Sequence, residues 1–194
     1  MTYNAPFAAL WSAWFISWFV AAFWASRAAK RVRRAEEARY WAITVAGGVL
    51  LYWSWRTTGR LWIEWVSPGP REWALFGLAA LGLGFTWWAR IHLGTLWSGN
   101  VTSKAGHRIV DTGPYGLVRH PIYSGLLLAV YATAALRPNG YALASVVLFT
   151  IGFVTKLRLE ERFLMEELGA DAYAAYRARV PMLVPFWPTR RQAD

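Results

Sequence analysis

Five stretches of the chain contain no charged residue, and each is apolar along most of its length. They run from Pro6 to Ser26, Tyr40 to Trp55, Trp73 to Ala89, Pro121 to Leu136 and Pro138 to Thr155. A helix needs about 20 apolar residues to cross a bilayer, or roughly 17 when flanking side chains reach the interface. Tryptophan and tyrosine at the ends of these stretches suit the headgroup layer. The pattern therefore predicts five transmembrane helices, with a tight hairpin between the last two.

Composition and charge place these helices in a membrane and orient them. The 194 residues are 56% hydrophobic and 17% aromatic but only 16% charged, whereas about a quarter of a soluble domain is charged. Most of the 21 Lys and Arg residues fall in the links after the first and third predicted helices and in the C-terminal tail. Because cytoplasmic loops carry this excess, we expect the N-terminus outside and the C-terminus in the cytoplasm, in a bacterial inner (plasma) membrane. The net charge of +10 then requires no nucleic-acid partner, and no sequence feature indicates an obligate protein partner.

The residues that the sequence lacks exclude several kinds of site. There is no cysteine, so disulfides, thiolate metal sites and cysteine nucleophiles are ruled out. The five stretches also lack histidine, and the absence of any ionisable acid or base within them argues against a transporter or pump. We expect no metal site. The first stretch begins uncharged and ends in aromatic residues, so it is interpreted as a retained helix and not as a signal peptide.

The residues suited to chemistry are concentrated just before the fourth predicted helix. A Gly-Pro pair at 113–114 predicts a turn, and Pro121 favours a non-helical conformation for His120 while itself fitting the first turn of a helix. The unpaired N–H groups at that helix start attract an anion such as a carboxylate. Tyr115 and Tyr123 offer ring faces to a cation or a purine.

A second polar segment predicts a helix that continues past the fifth stretch and ends at Gly169. Glu160 shares a face with Phe163 and Leu164 at helical spacing, so its carboxylate is turned toward apolar surroundings and needs a partner. The alternative is an ordinary surface ion pair with Lys156, which would contribute a few tenths of a kcal/mol.

These segments follow one another in an order and at spacings that are specific in combination. They are His92-Leu93-Gly94, His107-Arg108-Ile109-Val110, Gly113-Pro114-Tyr115, Arg119-His120-Pro121-Ile122-Tyr123-Ser124-Gly125, Glu160-Glu161, Leu168-Gly169, Tyr173, Tyr176 and Val180-Pro181. Together they resemble the isoprenylcysteine carboxyl methyltransferase and phospholipid N-methyltransferase family of integral-membrane enzymes, which use S-adenosylmethionine. The resemblance covers roughly the C-terminal half of the chain, and the first two predicted helices match no motif.

The resemblance implies a pocket for S-adenosylmethionine, with S-adenosylhomocysteine as product, between the loop before the fourth helix and the start of the C-terminal helix. It implies cofactor-binding roles for Asn100, His107, Arg108, Ile109, Val110, Tyr115, His120, Pro121, Ile122, Tyr123 and Glu160. The family's substrate-facing basic residue falls near Lys156, where relatives of the isoprenylcysteine type can carry arginine. Since lysine lacks the bidentate fork that holds a carboxylate, the acceptor stays open between an isoprenyl thioether carboxylate, a phospholipid amine and a small thiol.

Methyl transfer from a sulfonium needs alignment and exclusion of water more than a strong acid or base. His120 and Tyr123 are the candidate catalytic residues, because either can orient an acceptor or take the proton of an amine or thiol, whereas a carboxylate needs no base. The alternative for His120 is a hydrogen-bonding role within the loop. We expect a lipophilic acceptor to enter sideways from the membrane, with Lys156 at the rim of the opening. The expected apolar walls are Trp87, Trp88, Leu96, Trp97, Tyr123 and Leu157.

The prediction as a whole is one all-α, polytopic membrane domain over residues 1–194. Residues 1–89 hold three spans, and residues 90–194 form a cofactor-binding half with a helical hairpin and a cytoplasmic C-terminal helix. Two other classes stay open: a non-catalytic membrane scaffold, and a sterol-type membrane reductase that binds NADPH, which has related helical architecture in its C-terminal half. Binding of S-adenosylmethionine or of NADPH would separate these classes.

Overall fold

The computed structural model describes residues 4–23, 30–31, 34–56, 69–97, 102–103 and 109–188. These residues are almost entirely helical, as predicted. The helices are α1 (Asn4–Ala22), α2 (Arg34–Arg56), α3 (Pro70–Leu93), α4 (Pro114–Leu117), α5 (Pro121–Leu136), α6 (Gly140–Leu168) and α7 (Ala170–Arg179), with a 3-10 turn at Gly94–Leu96. A two-residue antiparallel pairing of β1 (Lys30–Arg31) with β2 (Thr102–Ser103) joins two links, and the sequence pattern does not predict it.

The hairpin between α5 and α6 forms where it was predicted. Helix α5 has the predicted bounds, and α6 merges the fifth apolar stretch with the polar helix that follows it. The Asn139 side chain caps the start of α6, since its oxygen accepts a hydrogen bond from the backbone N–H of Ala142 at 2.9 Å. Gly169 ends α6 with φ of 95°, a conformation that favours glycine. The polar second half of α6 is therefore continuous with its apolar first half, from the hairpin to Gly169.

Glycines bring the helices together in two pairs. A Cβ added at Gly82 of α3 would lie 2.5 Å from the carbonyl oxygen of Gly125 on α5, so the two backbones touch at this crossing. A Cβ at Gly152 of α6 would lie 2.6 Å from Oγ1 of Thr44 on α2. Close backbone approach at small residues is the usual way for membrane helices to pack. Helix α2, which matches no sequence motif, is thereby held directly against α6.

Helix α1 is attached to α3 and α5 by indole hydrogen bonds. The Nε1 of Trp14 donates to the Thr86 hydroxyl of α3 at 2.8 Å, and the Nε1 of Trp11 donates to the Thr133 hydroxyl of α5 at 3.0 Å. Buried tryptophan needs such a partner for its polar end. The bulky aromatic residues of the first stretch therefore serve in part to fasten helices to one another.

Two of the described helices are long and apolar enough to cross a membrane. These are Pro70–Leu96 and Gly140–Glu167, while Pro6–Ala22 and Pro121–Leu136 are apolar but shorter. Helix α2 does not join this set; it carries Glu36 and Glu37 in its first turn and a basic residue in its last. An all-helical fold with two candidate spans is thus established, and the arrangement with five spans stays a prediction.

Candidate active site

The segment before α5 folds back onto the end of α3. Gly113 has φ of 57°, and a Cβ there would lie 2.7 Å from the imidazole of His92, so glycine satisfies both the turn and the close approach. The Nε2 of His92 lies 2.9 Å from the Thr112 hydroxyl, so this histidine connects the end of α3 to the turn before α4. Pro114 then starts α4, and Pro121 starts α5 after a non-helical His120, as predicted.

Tyr115 lies at the centre of this segment. Its side chain is buried with Ala89 and Ile122, and its backbone carbonyl accepts a hydrogen bond from the Tyr176 hydroxyl of α7 at 2.7 Å. Burial, followed by the negative charge of nearby Glu160, raises the pKa of Tyr115 well above its usual value. Tyr115 is therefore neutral at physiological pH. The bond from Tyr176 fixes the loop to the C-terminal helix.

A buried ionic cluster connects the start of α5 with α6 and α7. Glu161 is only 4% exposed, and its Oε1 accepts from the Nε of Arg119 at 2.7 Å and lies 3.1 Å from the Nε2 of His120. The Nε of Arg177 lies 3.6 Å from the other carboxylate oxygen. A buried charge is tolerated when it is paired and hydrogen-bonded in this way. Glu161 therefore holds His120 and Arg119 in place.

The segment after α7 covers the start of α5 with backbone hydrogen bonds. The N–H groups of Arg119 and His120 donate to the carbonyls of Pro181 and Met182 at 2.8 and 3.2 Å. The Ser124 hydroxyl donates to the Leu183 carbonyl at 2.6 Å. The His120 N–H at this helix start is thereby satisfied within the chain and is not free to bind an anion.

Glu160, next to Glu161 in the chain, lies in different surroundings. It is half-buried, and its carboxylate lies near the tyrosines Tyr115 and Tyr123. Among the residues that the structure describes, none forms an ion pair with it. The alternative of a surface pair with Lys156 does not fit, because Lys156 is buried and forms no ion pair with Glu160 within the described ranges. The structure brings together a carboxylate and aromatic rings that suit a cationic ligand.

Lys156 also differs from its expected position at an exposed rim. It is 7% exposed, and its ammonium lies 5.2 Å from the ring centre of Tyr40 on α2 and 5.3 Å from that of Tyr123 on α5. Both distances are within the range of a cation–π interaction. The expectation of an exposed Lys156 was therefore wrong, because the packing of α2 against α6 covers it.

The other predicted site residues fall into three groups. Asn100, His107 and Arg108 lie outside the described residues. Pro121 and Ile122 are buried in the first turn of α5. Ile109 and Val110 are half-buried but belong to different clusters, since Ile109 packs with the tyrosines of α7 and Val110 packs near Tyr115.

Sequence reasoning missed two residues of this region. Glu161 belongs to the Glu160-Glu161 motif, which gives it no role, but it faces a different side of the helix from Glu160 and pairs with Arg119 and His120. Tyr40 was read as a boundary tyrosine of the second stretch, but it is 2% exposed and packs against Leu159 of α6. No motif marks Tyr40, so only the packing of α2 on α6 reveals it.

Comparison with known proteins identifies the region that holds this site. Residues 75–166 match the model of the isoprenylcysteine carboxyl methyltransferase family. This part of the chain belongs to that family. The matched range includes His120, Tyr123, Lys156 and Glu160, and it excludes helices α1 and α2.

Several curated relatives of the chain are named as methyltransferases. Methanethiol S-methyltransferase 2 of Bradyrhizobium diazoefficiens is 34% identical over 157 residues, covering 75% of this chain and 58% of the relative. Methanethiol S-methyltransferase of Mycobacterium tuberculosis is 31% identical, covering 80% of this chain and 65% of the relative. Protein-S-isoprenylcysteine O-methyltransferase of Schizosaccharomyces pombe is 34% identical over 116 residues, 58% of this chain and 48% of that protein. The chain thus spans about half to two thirds of the length of these relatives.

Proposed function

We propose that the protein is an integral-membrane, S-adenosylmethionine-dependent methyltransferase that acts on a lipophilic acceptor at the cytoplasmic face. The acceptor is an isoprenylcysteine-type carboxylate or a related lipid, reached from the membrane. The observation that carries this proposal is the half-buried Glu160 carboxylate, whose charge acts on Tyr115 and Tyr123, within the part of the chain that matches the family.

The residues around Glu160 fit the chemical groups of S-adenosylmethionine. A carboxylate accepts hydrogen bonds from an ammonium or from ribose hydroxyls, and tyrosine rings accommodate a sulfonium or the face of a purine. When bound, the cofactor supplies an activated methyl group that is transferred to the acceptor as the sulfonium becomes a neutral thioether. Glu160 would hold the cofactor's polar end, and the two tyrosines would exclude water from the reacting atoms.

His120 has a restricted role in this proposal. Its Nε2 lies 3.1 Å from Glu161, so this nitrogen carries the proton that is donated to the carboxylate. This tautomer leaves Nδ1 as the nitrogen that can accept a proton from a thiol or amine acceptor. A carboxylate acceptor would make no use of it, and His120 would then only position the start of α5.

Binding of the cofactor is the first test. We expect the detergent-solubilised protein to bind S-adenosylmethionine in calorimetry and to show no binding of NADPH. Binding of NADPH alone would instead support the sterol-type reductase, and binding of neither would support a non-catalytic scaffold.

The acceptor has a second candidate, a small alkyl thiol, because two of the relatives are named methanethiol S-methyltransferases. A methyl ester and a methyl thioether differ in stability toward base. We expect radiolabelled methyl groups on a lipophilic carboxylate to be released as methanol at alkaline pH. Label that resists base after incubation with an alkyl thiol would identify the thiol as acceptor.

We also propose the membrane arrangement that the basic residues predict: five spans, the N-terminus outside and the C-terminus in the cytoplasm. Since the chain has no cysteine, single cysteines report cleanly on topology. Pro138→Cys lies in the exposed hairpin link and avoids the capping side chain of Asn139. We expect Pro138→Cys to react with an impermeant thiol reagent from outside and Ser103→Cys to react only after permeabilisation. The opposite labelling would overturn the orientation.

A further inference from the structure

The segment that follows α7 ends in a short, exposed apolar stretch. Val184, Phe186 and Trp187 are 54%, 90% and 65% exposed. They belong to one β-turn, since the backbone N–H of Trp187 donates to the carbonyl of Val184 at 3.2 Å. Single exposed apolar side chains are ordinary on a protein surface, but several in one turn indicate contact with something outside the chain.

The backbone of this turn shows that the Phe186 side chain has a role of its own. Phe186 has φ of 63°, and it is the only non-glycine residue of the described ranges with a positive φ. Glycine or asparagine adopts this conformation at lower cost, so the turn alone does not favour a bulky residue here. Packing within the chain does not compensate, because the side chain is almost fully exposed. Such strain at an exposed position is typical of a residue that serves a function.

Contact with α5 determines where the turn lies. The Leu183 carbonyl accepts a hydrogen bond from the Ser124 hydroxyl in the first turn of α5 at 2.6 Å. Phe186 is three residues further on, so its Cα lies within roughly 11 Å of that of Leu183. The turn is therefore beside the end of an apolar helix, Pro121–Leu136. Non-helical backbone is not stable in contact with the hydrocarbon core, whereas tryptophan suits the headgroup layer, so that layer is the position that fits the turn.

The charges near the turn suit the cytoplasmic leaflet. Residues 172–193 contain four arginines and no acidic residue. The two arginines in α7 are paired with carboxylates, and the other two, Arg190 and Arg191, follow the turn in the sequence outside the described residues. Because the surface of the cytoplasmic leaflet is negative, basic residues next to an aromatic turn favour contact with that leaflet.

We propose that residues 184–188 form an interfacial anchor, in which Phe186 and Trp187 insert into the headgroup layer of the anionic cytoplasmic leaflet beside the start of α5. The partner of this surface is the lipid bilayer. The inference rests on the proposed membrane arrangement and goes beyond it, because it places a segment without a helix against the membrane. The three residues before Val184 accept hydrogen bonds from the segment that starts α5. Contact with the membrane would therefore hold this segment over His120.

Nitroxide labels on single cysteines test the anchor, because the chain contains no cysteine of its own. The labelled protein is placed in nanodiscs of phosphatidylcholine and phosphatidylglycerol, and collisions of the label with oxygen are compared with collisions with a water-soluble nickel complex. Val184→Cys reports on the turn and leaves both aromatic side chains in place. Ala175→Cys is the control in water, since it is exposed on the face of α7 that carries Asp171 and Arg179. Leu81→Cys, exposed on the candidate span α3, is the reference in lipid.

The anchor predicts an intermediate depth for the turn. We expect the ratio of oxygen to nickel collisions at Val184→Cys to be at least about threefold higher than at Ala175→Cys and lower than at Leu81→Cys, as for a group at the boundary between headgroups and acyl chains. Adding Phe186→Gly and Trp187→Ser should lower the ratio at Val184→Cys to that of the control. Because glycine fits the positive φ and both side chains are exposed, these two substitutions should shift the melting temperature in detergent by no more than about 2 °C.

Four results would overturn the proposal. A ratio at Val184→Cys equal to that at Ala175→Cys would place the turn in water. Few collisions with either reagent would mean that protein covers the turn, and dipolar broadening between labels would identify that protein as a second copy of the chain. An unchanged ratio after both aromatic residues are replaced would show that they do not hold the turn. A large loss of stability in Phe186→Gly alone would mean that the ring packs within the protein.

The lipid reference separates failure of the anchor from failure of the membrane arrangement. If Leu81→Cys collides mainly with oxygen and Val184→Cys does not, only the anchor is wrong. If Leu81→Cys is itself open to the nickel complex, the proposed membrane arrangement fails, and the anchor fails with it.

Discussion

Glu160 and Glu161 are neighbours on α6, yet they belong to two chemically different regions. On the ionic side, Glu161 is buried among Arg119, His120 and Arg177 and is paired with all three. On the aromatic side, Glu160 lies near enough to Tyr115 and Tyr123 for its charge to act on them, and no ion pair to it is found in the described ranges. Because adjacent residues of a helix face different sides, the Glu161 carboxylate is paired, whereas the Glu160 carboxylate has no ion pair among the described residues.

The contrast indicates that Glu161 has a structural role and Glu160 a ligand-binding role. A buried carboxylate whose lone pairs are occupied fixes the geometry of the segments around it, because breaking such a pair leaves an uncompensated charge. A partly buried carboxylate without a charged partner can accept a ligand at lower cost, which is typical of functional positions. The ionic side therefore holds the start of α5 in position. The aromatic side is the better candidate for cofactor contact.

The largest effect is expected from Glu161→Gln. Loss of the charge leaves the buried Arg119 guanidinium uncompensated, which typically costs about 3–5 kcal/mol. For a protein of this size, a loss of that order lowers the melting temperature by roughly 10 °C. A thermal unfolding series in detergent checks this, with Glu166→Gln, exposed on the same helix, as control. An unchanged melting temperature would show that the ionic side does not stabilise the fold.

Glu160→Gln should give the complementary result. If Glu160 receives the ammonium or a ribose hydroxyl of S-adenosylmethionine, the substitution removes a charge-assisted hydrogen bond worth roughly 1.5–3 kcal/mol. Calorimetry should then show a Kd about 10 to 150 times higher, with a melting temperature near that of wild type. Equal affinities for the variant and wild type would show that Glu160 does not contact the cofactor. The proposed difference in role between Glu160 and Glu161 would then fail.

Strong local signals made some elements of the fold predictable. Pro121, the uncharged run after it and the following Arg137-Pro138-Asn139-Gly140 link determine α5 and the hairpin, so their bounds agree with prediction. Gly169 ends α6 for the same kind of local reason. Where helix ends depend on residues within a few positions, the sequence is sufficient.

The partners of individual side chains were much less predictable. Helical spacing places Glu160 and Glu161 on different sides of α6, but it could not show that Glu161 would meet Arg119, which lies 42 positions earlier. Lys156 was expected at an exposed rim because nothing local shows that Gly152 lets α2 approach α6 closely enough to cover it. Contacts between helices that are distant in sequence can be identified only from the way the helices pack.

A smaller effect is expected where α7 supports the aromatic side. The Tyr176 hydroxyl donates to the backbone carbonyl of Tyr115, and Tyr176→Phe leaves that buried carbonyl without this donor. The expected destabilisation is about 1 kcal/mol, the usual net value of such a bond. Thermal unfolding should show a drop of a few degrees, together with a small loss of cofactor affinity if the position of Tyr115 matters. A change as large as that of Glu161→Gln would mean that the Tyr176 hydrogen bond stabilises the fold as much as the ionic side does.

The smallest effect is expected at the outer contact between α7 and the same loop. The Nη2 of Arg179 lies 3.1 Å from a carboxylate oxygen of Asp111, but both side chains are well exposed to solvent. Water screens such a pair and its side chains lose conformational freedom, so its net contribution is typically between 0 and 1 kcal/mol. Arg179→Gln should therefore shift the melting temperature by no more than about 2 °C, and raising the salt concentration should abolish even that difference between variant and wild type. A salt-independent loss comparable to that of Tyr176→Phe would show instead that the docking of α7 depends on its exposed charges as much as on its buried hydroxyl.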